Sequence, residues 1–230
     1  ISPQLEGEEM PIEISGFKGG DRTNIELPKV QRNFLKALKE AGKKVVFVNC
    51  SGSAIALTPE TESCDAILQA WYPGQEGGEA VARVLFGEYN PAGKLPITFY
   101  KNSEQLPDFK DYSMKGRTYR YMNDALFPFG YGLSYTSFRM GDATLSNSIL
   151  KKGEKITLKV PVSNVGKKNG TEVVQVYVKD PADTEGPLKS LKAFERVEVK
   201  AGKTAEAVIT LDSRNFELFD AATNTVRAKA

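Results

Sequence analysis

Three carboxylates crowd the first ten residues, at Glu6, Glu8 and Glu9. The chain has no histidine at all, which removes Ser-His-Asp and Cys-His triads and most zinc sites. Any acid–base chemistry must therefore use carboxylates, Lys or Tyr. An acidic stretch punctuated by Gly7 and Pro11 is also what a solvated loop looks like, so the residues alone leave both readings open. A second candidate is the glycine-rich loop Gly74-Gln75-Glu76-Gly77-Gly78. It lacks a G-x-G-x-x-G spacing and the Lys-Ser/Thr ending of a phosphate-binding loop, so a tight turn is favoured over a nucleotide cradle. Asn169-Gly170-Thr171 fits a glycosylation acceptor, and a glycine-containing turn explains it equally.

The elements around these residues follow from periodicity. Ala66-Ile67-Leu68 is a short apolar run ending at Trp71, and Ala80, Val81, Val84 and Leu85 recur at helical spacing. Strand, glycine-rich loop and helix make an α/β unit, in which ligands sit beyond the carboxyl ends of strands. Upstream, Pro28 suits a first helical turn, Val30, Phe34, Leu35 and Leu38 form its apolar face, and Gly42 suits its C′ position. Lys44 to Asn49 is a nearly continuous apolar run, the pattern of a parallel strand buried on both faces. Ala54 to Glu60 suggests a short connecting helix, and Gly87 a cap. Cys50 and Cys64 define no disulfide framework and are expected as buried thiols.

From Asn90 to about Tyr135 the texture changes, with dense aromatics and frequent Pro and Gly. So long an irregular stretch is expected to be an ordered connector laid over its neighbours. After Phe138 the period becomes two. Ile156, Leu158, Val160 and Val162 alternate with polar partners, as do Val174, Val176 and Val178, then Val197 and Val199, then Ala207, Ile209 and Leu211. Short strands at this spacing point to a β-sandwich, with Pro161 expected on an edge or at a bulge. A turn at Asn224 lies so near Ala230 that further strands are expected beyond it.

A net charge of +2 argues for no nucleic-acid partner or membrane surface. No apolar run approaches the roughly 20 residues that span a bilayer. Ile1-Ser2-Pro3-Gln4 resembles neither a signal peptide nor a start methionine, so the chain reads as a piece of something longer.

Several long motifs resemble glycoside hydrolase family 3. They are Trp71-Tyr72-Pro73-Gly74-Gln75-Glu76-Gly77-Gly78, then Gly87-Glu88-Tyr89-Asn90-Pro91-Ala92-Gly93-Lys94-Leu95-Pro96, then Lys115 to Tyr121, then Phe127 to Tyr135. Asp21-Arg22 ahead of Leu27-Pro28 is similar too, and Leu5-Glu6-Gly7-Glu8-Glu9-Met10 resembles the bacterial β-glucosidase and β-xylosidase branch. The resemblance implies an α/β fold, a partial α/β sandwich with a mostly parallel sheet over residues 1–105. It further implies an aromatic-rich connector over 106–138 and an all-β immunoglobulin- or fibronectin III-like sandwich over 139–230, truncated at its C-terminus.

It also implies a retaining, exo-acting β-glucosidase or β-xylosidase acting on non-reducing ends of β-linked oligosaccharides, without a cofactor or metal, and periplasmic or secreted. The family's (β/α)₈ barrel with its Asp nucleophile is missing from this chain. The family's acid/base is a Glu on a loop ahead of the Asp-Arg motif; Glu6 fits best, with Glu9 and Glu8 as alternatives. Retaining enzymes hold the two carboxyl groups about 5–5.5 Å apart across the scissile bond. Tyr112, Tyr119 and Tyr121 either pack across domains, which is favoured, or line the entrance to the active site. Arg117 and Arg120 are expected to anchor the connector. A rival of another class is a non-catalytic carbohydrate-binding or adhesion module. The chain alone is expected to hydrolyse no aryl β-glycoside; a rate comparable to that of the complete protein contradicts this.

Overall fold

The computed structural model of the chain describes residues 16–18, 21–220 and 223–228. These form two units, and the chain weaves between them. The first takes the described residues up to Val81, then Ile97–Thr118 and Met122–Phe129; the second takes Ala82–Pro96, Tyr119–Tyr121 and the chain from Gly130 onward.

The first unit begins with a short antiparallel hairpin of β1 (Phe17–Lys18) and β2 (Asp21–Arg22), followed by helix α1 (Lys29–Glu40). Pro28 stands at the cap rather than inside the first turn, where its missing N–H costs nothing. Strand β3 (Val46–Asn49) leads through α2 (Thr58–Ser63) to β4 (Ala66–Gln69), and the two strands pair in parallel. The expected parallel strand is there. The expected burial on both faces is not: Val46 is 51% exposed, and the described sheet has only two strands. Val30 and Phe34 on α1 are likewise exposed, while Leu35 is buried. Cys50 is exposed and Cys64 buried, both as free thiols, so only one of the two expected buried thiols is found. Burial, with Glu60 and Asp65 nearby, pushes the Cys64 thiol pKa up.

Helix α3 (Gly77–Leu85) follows the glycine-rich loop, and its carboxyl end turns at Gly87, whose φ of +76° suits a residue without a Cβ. A single helical turn, α4 (Thr118–Tyr121), interrupts the connector. In the first unit the connector pairs with itself, Phe99 bridging Phe127 in antiparallel sense with their rings edge to face at 6.4 Å. In the second, the Leu95 N–H donates to the Tyr131 carbonyl at 2.8 Å and the Gly130 N–H to the Leu95 carbonyl at 2.8 Å. A Cβ on Gly132 would stand 2.1 Å from the Gly93 carbonyl oxygen, so two backbones meet where two of the sequence motifs place glycines. Lys94 joins the same crossing, pairing with Glu172 at 2.8 Å and donating to the Gly132 carbonyl at 3.0 Å.

The rest of the second unit is β-structure. Strands β5 (Phe138–Met140) and β6 (Thr144–Leu145) pair in turn with one side of β7 (Lys155–Asn164). Strand β8 (Gly170–Val178) pairs with β9 (Ser190–Val199), and β10 (Thr204–Asp212) with the other side of β7, all antiparallel. Strands β11 (Glu217–Asp220) and β12 (Thr225–Ala228) form a hairpin turning at Asn224. Ile156, Val160 and Val162 of β7 and Ala207, Ile209 and Leu211 of β10 share one core with Val174 of β8 and Val197 and Val199 of β9. These are the alternating positions read from the sequence. Pro161 departs from expectation: it lies in the middle strand of its sheet, opposite Glu206. Its carbonyl accepts from Gly141 N–H at 2.8 Å, in the break between β5 and β6. There the neighbouring strand offers no ladder for a missing N–H to interrupt.

An ion pair joins α1 to α2. The Glu60 side chain is 0% exposed, and Arg32 Nε donates to its Oε1 at 2.8 Å while Nη2 reaches the Ala56 carbonyl at 3.4 Å. Removing one partner strands the other as an uncompensated buried charge. Arg32→Ala is expected to cost about 3 kcal/mol in urea unfolding, with most of it recovered in Arg32→Met/Glu60→Leu. A single variant indistinguishable from wild type contradicts this.

Candidate functional site

Parallel pairing puts the carboxyl ends of β3 and β4 side by side, with Asn49 in register with Gln69. Both apolar runs end in an amide, and these amides join. Buried Asn49 Nδ2 donates to Gln69 Oε1 at 2.6 Å and to Ser51 Oγ at 2.9 Å. Gln69 Nε2 donates to the Ser51 carbonyl at 3.1 Å, and Ser51 Oγ to the Ser53 carbonyl at 2.9 Å. A closed network of this kind rigidifies the loop after β3.

Trp71 turns the chain out of β4 with φ of +56°. A bulky residue in the left-handed region is strained and persists only where its surroundings hold it. Its ring meets Phe99 edge to face at 6.2 Å. In the glycine-rich loop that follows, the Gly77 N–H donates back to the Gly74 carbonyl at 3.2 Å. That bond closes the tight turn favoured from the sequence.

The segment that follows the acidic stretch docks on the same region. Glu26 bridges Ala56, in the loop leaving β3, in parallel sense, and the Ala56 N–H donates to the Ile25 carbonyl at 2.8 Å. The Glu26 carboxylate accepts from the Ser103 N–H at 2.8 Å and its Oγ at 2.6 Å. Burial pushes this carboxyl pKa up, but the Ser103 bonds outweigh it and hold the group below its ordinary value. Arg22 donates to the Glu26 carbonyl, and burial lowers its pKa.

Glu6, Glu8 and Glu9 lie outside the described residues. At the strand edge the described residues bring together amides, hydroxyls and the Trp71 and Phe99 rings, with the Glu26 carboxylate held by Ser103 on the segment that docks there. Among the described residues no group of three or more His, Cys, Asp or Glu is placed to hold a metal ion, and no helix is long and apolar enough to cross a membrane. Sequence reasoning passed over the Asn49–Ser51–Gln69 network. Its signal was present, since each apolar run ends in an amide residue. The left-handed Trp71 carried no such signal.

The comparisons with known proteins agree with this architecture. The family model described as the glycosyl hydrolase family 3 C-terminal domain matches residues 2–135, and that described as a fibronectin type III-like domain matches 172–230. A xylan 1,4-beta-xylosidase of Xylanibacter ruminicola is 66% identical over 229 residues, which is 100% of this chain and 26% of that protein. A periplasmic beta-glucosidase of Salmonella typhimurium is 42% identical over 86% of this chain and 28% of its own length. Among solved structures, a beta-glucosidase from Listeria innocua in complex with glucose superposes with a TM-score of 0.78 at 31% identity, covering 93% of this chain and 32% of that one. The chain thus spans 26% to 32% of the length of these relatives.

The far end of the strand pair is pinned by Asp65. Its carboxylate accepts from the Val45 N–H at 2.9 Å and from Lys44 Nζ at 3.0 Å, with Lys39 at 3.7 Å. These bonds, the Val45 N–H first, lower its pKa from 3.8 to about 2. A depressed folded pKa gives stability that is present above the unfolded value and lost as pH falls through the folded one. The stability gap between wild type and Asp65→Asn is therefore expected to close between pH 3.8 and about 2. A gap that stays constant across that window in denaturant titrations contradicts the assignment.

Proposed function

The chain belongs to glycoside hydrolase family 3, and from that membership we propose that it is the C-terminal part of a retaining, exo-acting β-glycosidase. The enzyme removes single sugars from the non-reducing ends of β-linked xylo- or gluco-oligosaccharides. The observation that carries this reading is the 66% identity across the whole chain to a protein named a xylan 1,4-beta-xylosidase, which weighs towards xylosides. Residues 1–105 then belong to an α/β sandwich domain, 106–138 connect, and 139–230 form a fibronectin III-like sandwich. The exposed Val46, Val30 and Phe34, beside a parallel sheet of only two described strands, fit a domain that preceding chain completes. Export to the periplasm or beyond is supported by the name of the Salmonella relative.

Chemistry is divided between two parts of the parent protein. An Asp from the preceding barrel attacks the anomeric carbon while a protonated Glu gives its proton to the departing glycosidic oxygen; the resulting carboxylate then takes a proton from the water that releases the sugar. Glu6 is that acid/base, with Glu9 and Glu8 as alternatives on the same segment. Its pKa must be raised for it to stay protonated near neutral pH, which a carboxylate on the facing barrel helps achieve. This chain alone, lacking the nucleophile, hydrolyses nothing.

The test uses the parent enzyme. Glu6→Ala is expected to lower kcat on oligosaccharides about 10²–10⁴-fold while sparing the first step on dinitrophenyl glycosides, whose leaving group needs no proton. Added azide should restore turnover and yield the β-glycosyl azide. If Glu8→Ala or Glu9→Ala shows this pattern instead, the assignment moves to that residue; if none does, the acid/base is not on this segment.

A further inference from the structure

Two devices anchor the connector. Ahead of α4, the Arg117 guanidinium donates to the carbonyls of Ser113 at 3.0 Å, Asp111 at 2.5 Å and Asp108 at 3.4 Å, the anchoring role expected of Arg117. Within α4, Tyr119 packs edge to face on Tyr177 at 5.8 Å, and its hydroxyl accepts from the Leu191 N–H at 3.0 Å. The Arg120 carbonyl accepts from the Leu188 N–H at 2.7 Å. Packing therefore accounts for Tyr119, whereas Tyr112 stands 90% exposed.

Both of these N–H donors belong to one short stretch. Ser190 lies between them at the start of β9, paired with Val178 of β8. It is 7% exposed, and its Oγ has no hydrogen-bond partner among the described residues. Ser190 lines a cavity of about 10 Å³ at the base of the loop that joins β8 to β9. Val178, Pro187 and Leu218 give this cavity apolar walls, and Asp180 and Asp183 bring carboxylates to it. The loop is tightly folded. Asp180 Oδ1 accepts from the Ala182 N–H at 2.9 Å, and a Cβ on Gly186 would stand 2.3 Å from Asp183 Oδ2.

We propose that the cavity holds one ordered water molecule, which accepts from the Ser190 hydroxyl and donates to a carboxylate of the Asp180–Asp183 turn. A buried hydroxyl without a partner forfeits its hydration, and native proteins answer such groups with protein atoms, water or an ion. The space suits one water, which needs about 10–15 Å³ of this kind, and admits no sugar or hydrated ion. The chemistry suits it too, since a carboxylate has acceptor sites beyond the one that Ala182 uses. Two carboxylates and a hydroxyl are a thin shell for a cation such as calcium, which takes about six to eight oxygens. The water ties Ser190 to the loop and so stiffens the stretch whose Leu188 and Leu191 N–H groups hold α4. The site is independent of the reaction proposed above.

The test is made in the parent enzyme. A high-resolution crystal structure is expected to show one solvent peak within about 3 Å of Ser190 Oγ and of a second polar atom in the cavity. Hydrogen exchange supplies a difference in sign. With the water in place, Ser190→Ala removes one of its bonds, and the peptide spanning Leu188 and Leu191 should exchange about three- to tenfold faster. Without the water, the same change deletes an unsatisfied hydroxyl and leaves exchange unchanged or slower, which overturns the proposal. A cavity without density, or a protein atom bonded to Ser190 Oγ, overturns it as well. So does a peak that scatters anomalously after a lanthanide soak, which makes the ligand a metal ion. If Ser190→Ala does not fold, the wild-type density decides.

Discussion

The parallel register of β3 and β4 is the constraint on which the first unit depends. Parallel strands cannot be joined by a tight turn, so a crossover must carry the chain back, and α2 is part of that crossover. Its buried Glu60 needs a cation, and Arg32 of α1 supplies one, so the helix is fixed to the crossover. The same register sets Asn49 against Gln69 and builds the hydrogen-bonded edge from which Trp71 turns outward. Asp65 locks the opposite end. A slip of one residue would separate the amides and move the apolar side chains to the wrong faces.

The second unit answers to a different rule, in which one face of each strand is buried and the period is two. Val162 at 0% exposure and Val199 at 1% show how completely that rule is obeyed at the centre of the core. Where it is locally broken, the structure compensates. Pro161 faces a break between β5 and β6, and the close approach at Gly132 is held by Lys94 and Glu172. The glycine and proline motifs thus record places where backbones cross or ladders stop.

Much of this was legible in the residues because period and punctuation are local properties. The helix from Lys29, the parallel pair, the turn at Gly87 and the alternating core of β7 and β10 follow from spacing alone. Burial was less legible. Val46, Val30 and Phe34 carry the pattern of covered residues but are exposed here, because covering depends on neighbours that a local pattern does not contain. Cys50 failed for the same reason. At the site, the tight turn at Gly74–Gly77 was readable from a missing motif, whereas the Asn49–Ser51–Gln69 network arises only from pairing. The clamp at Arg117 also needed three dimensions, since its three carbonyls are unmarked in sequence.

On the function proposed above, this chain carries the acid/base segment and a barrel of the parent protein carries the nucleophile. The most direct measurement is to trap the covalent intermediate in the parent enzyme with a 2-deoxy-2-fluoro-β-glycoside and map the labelled peptide by mass spectrometry. The sugar is expected on an Asp outside residues 1–230. A label on any residue within this chain would contradict it.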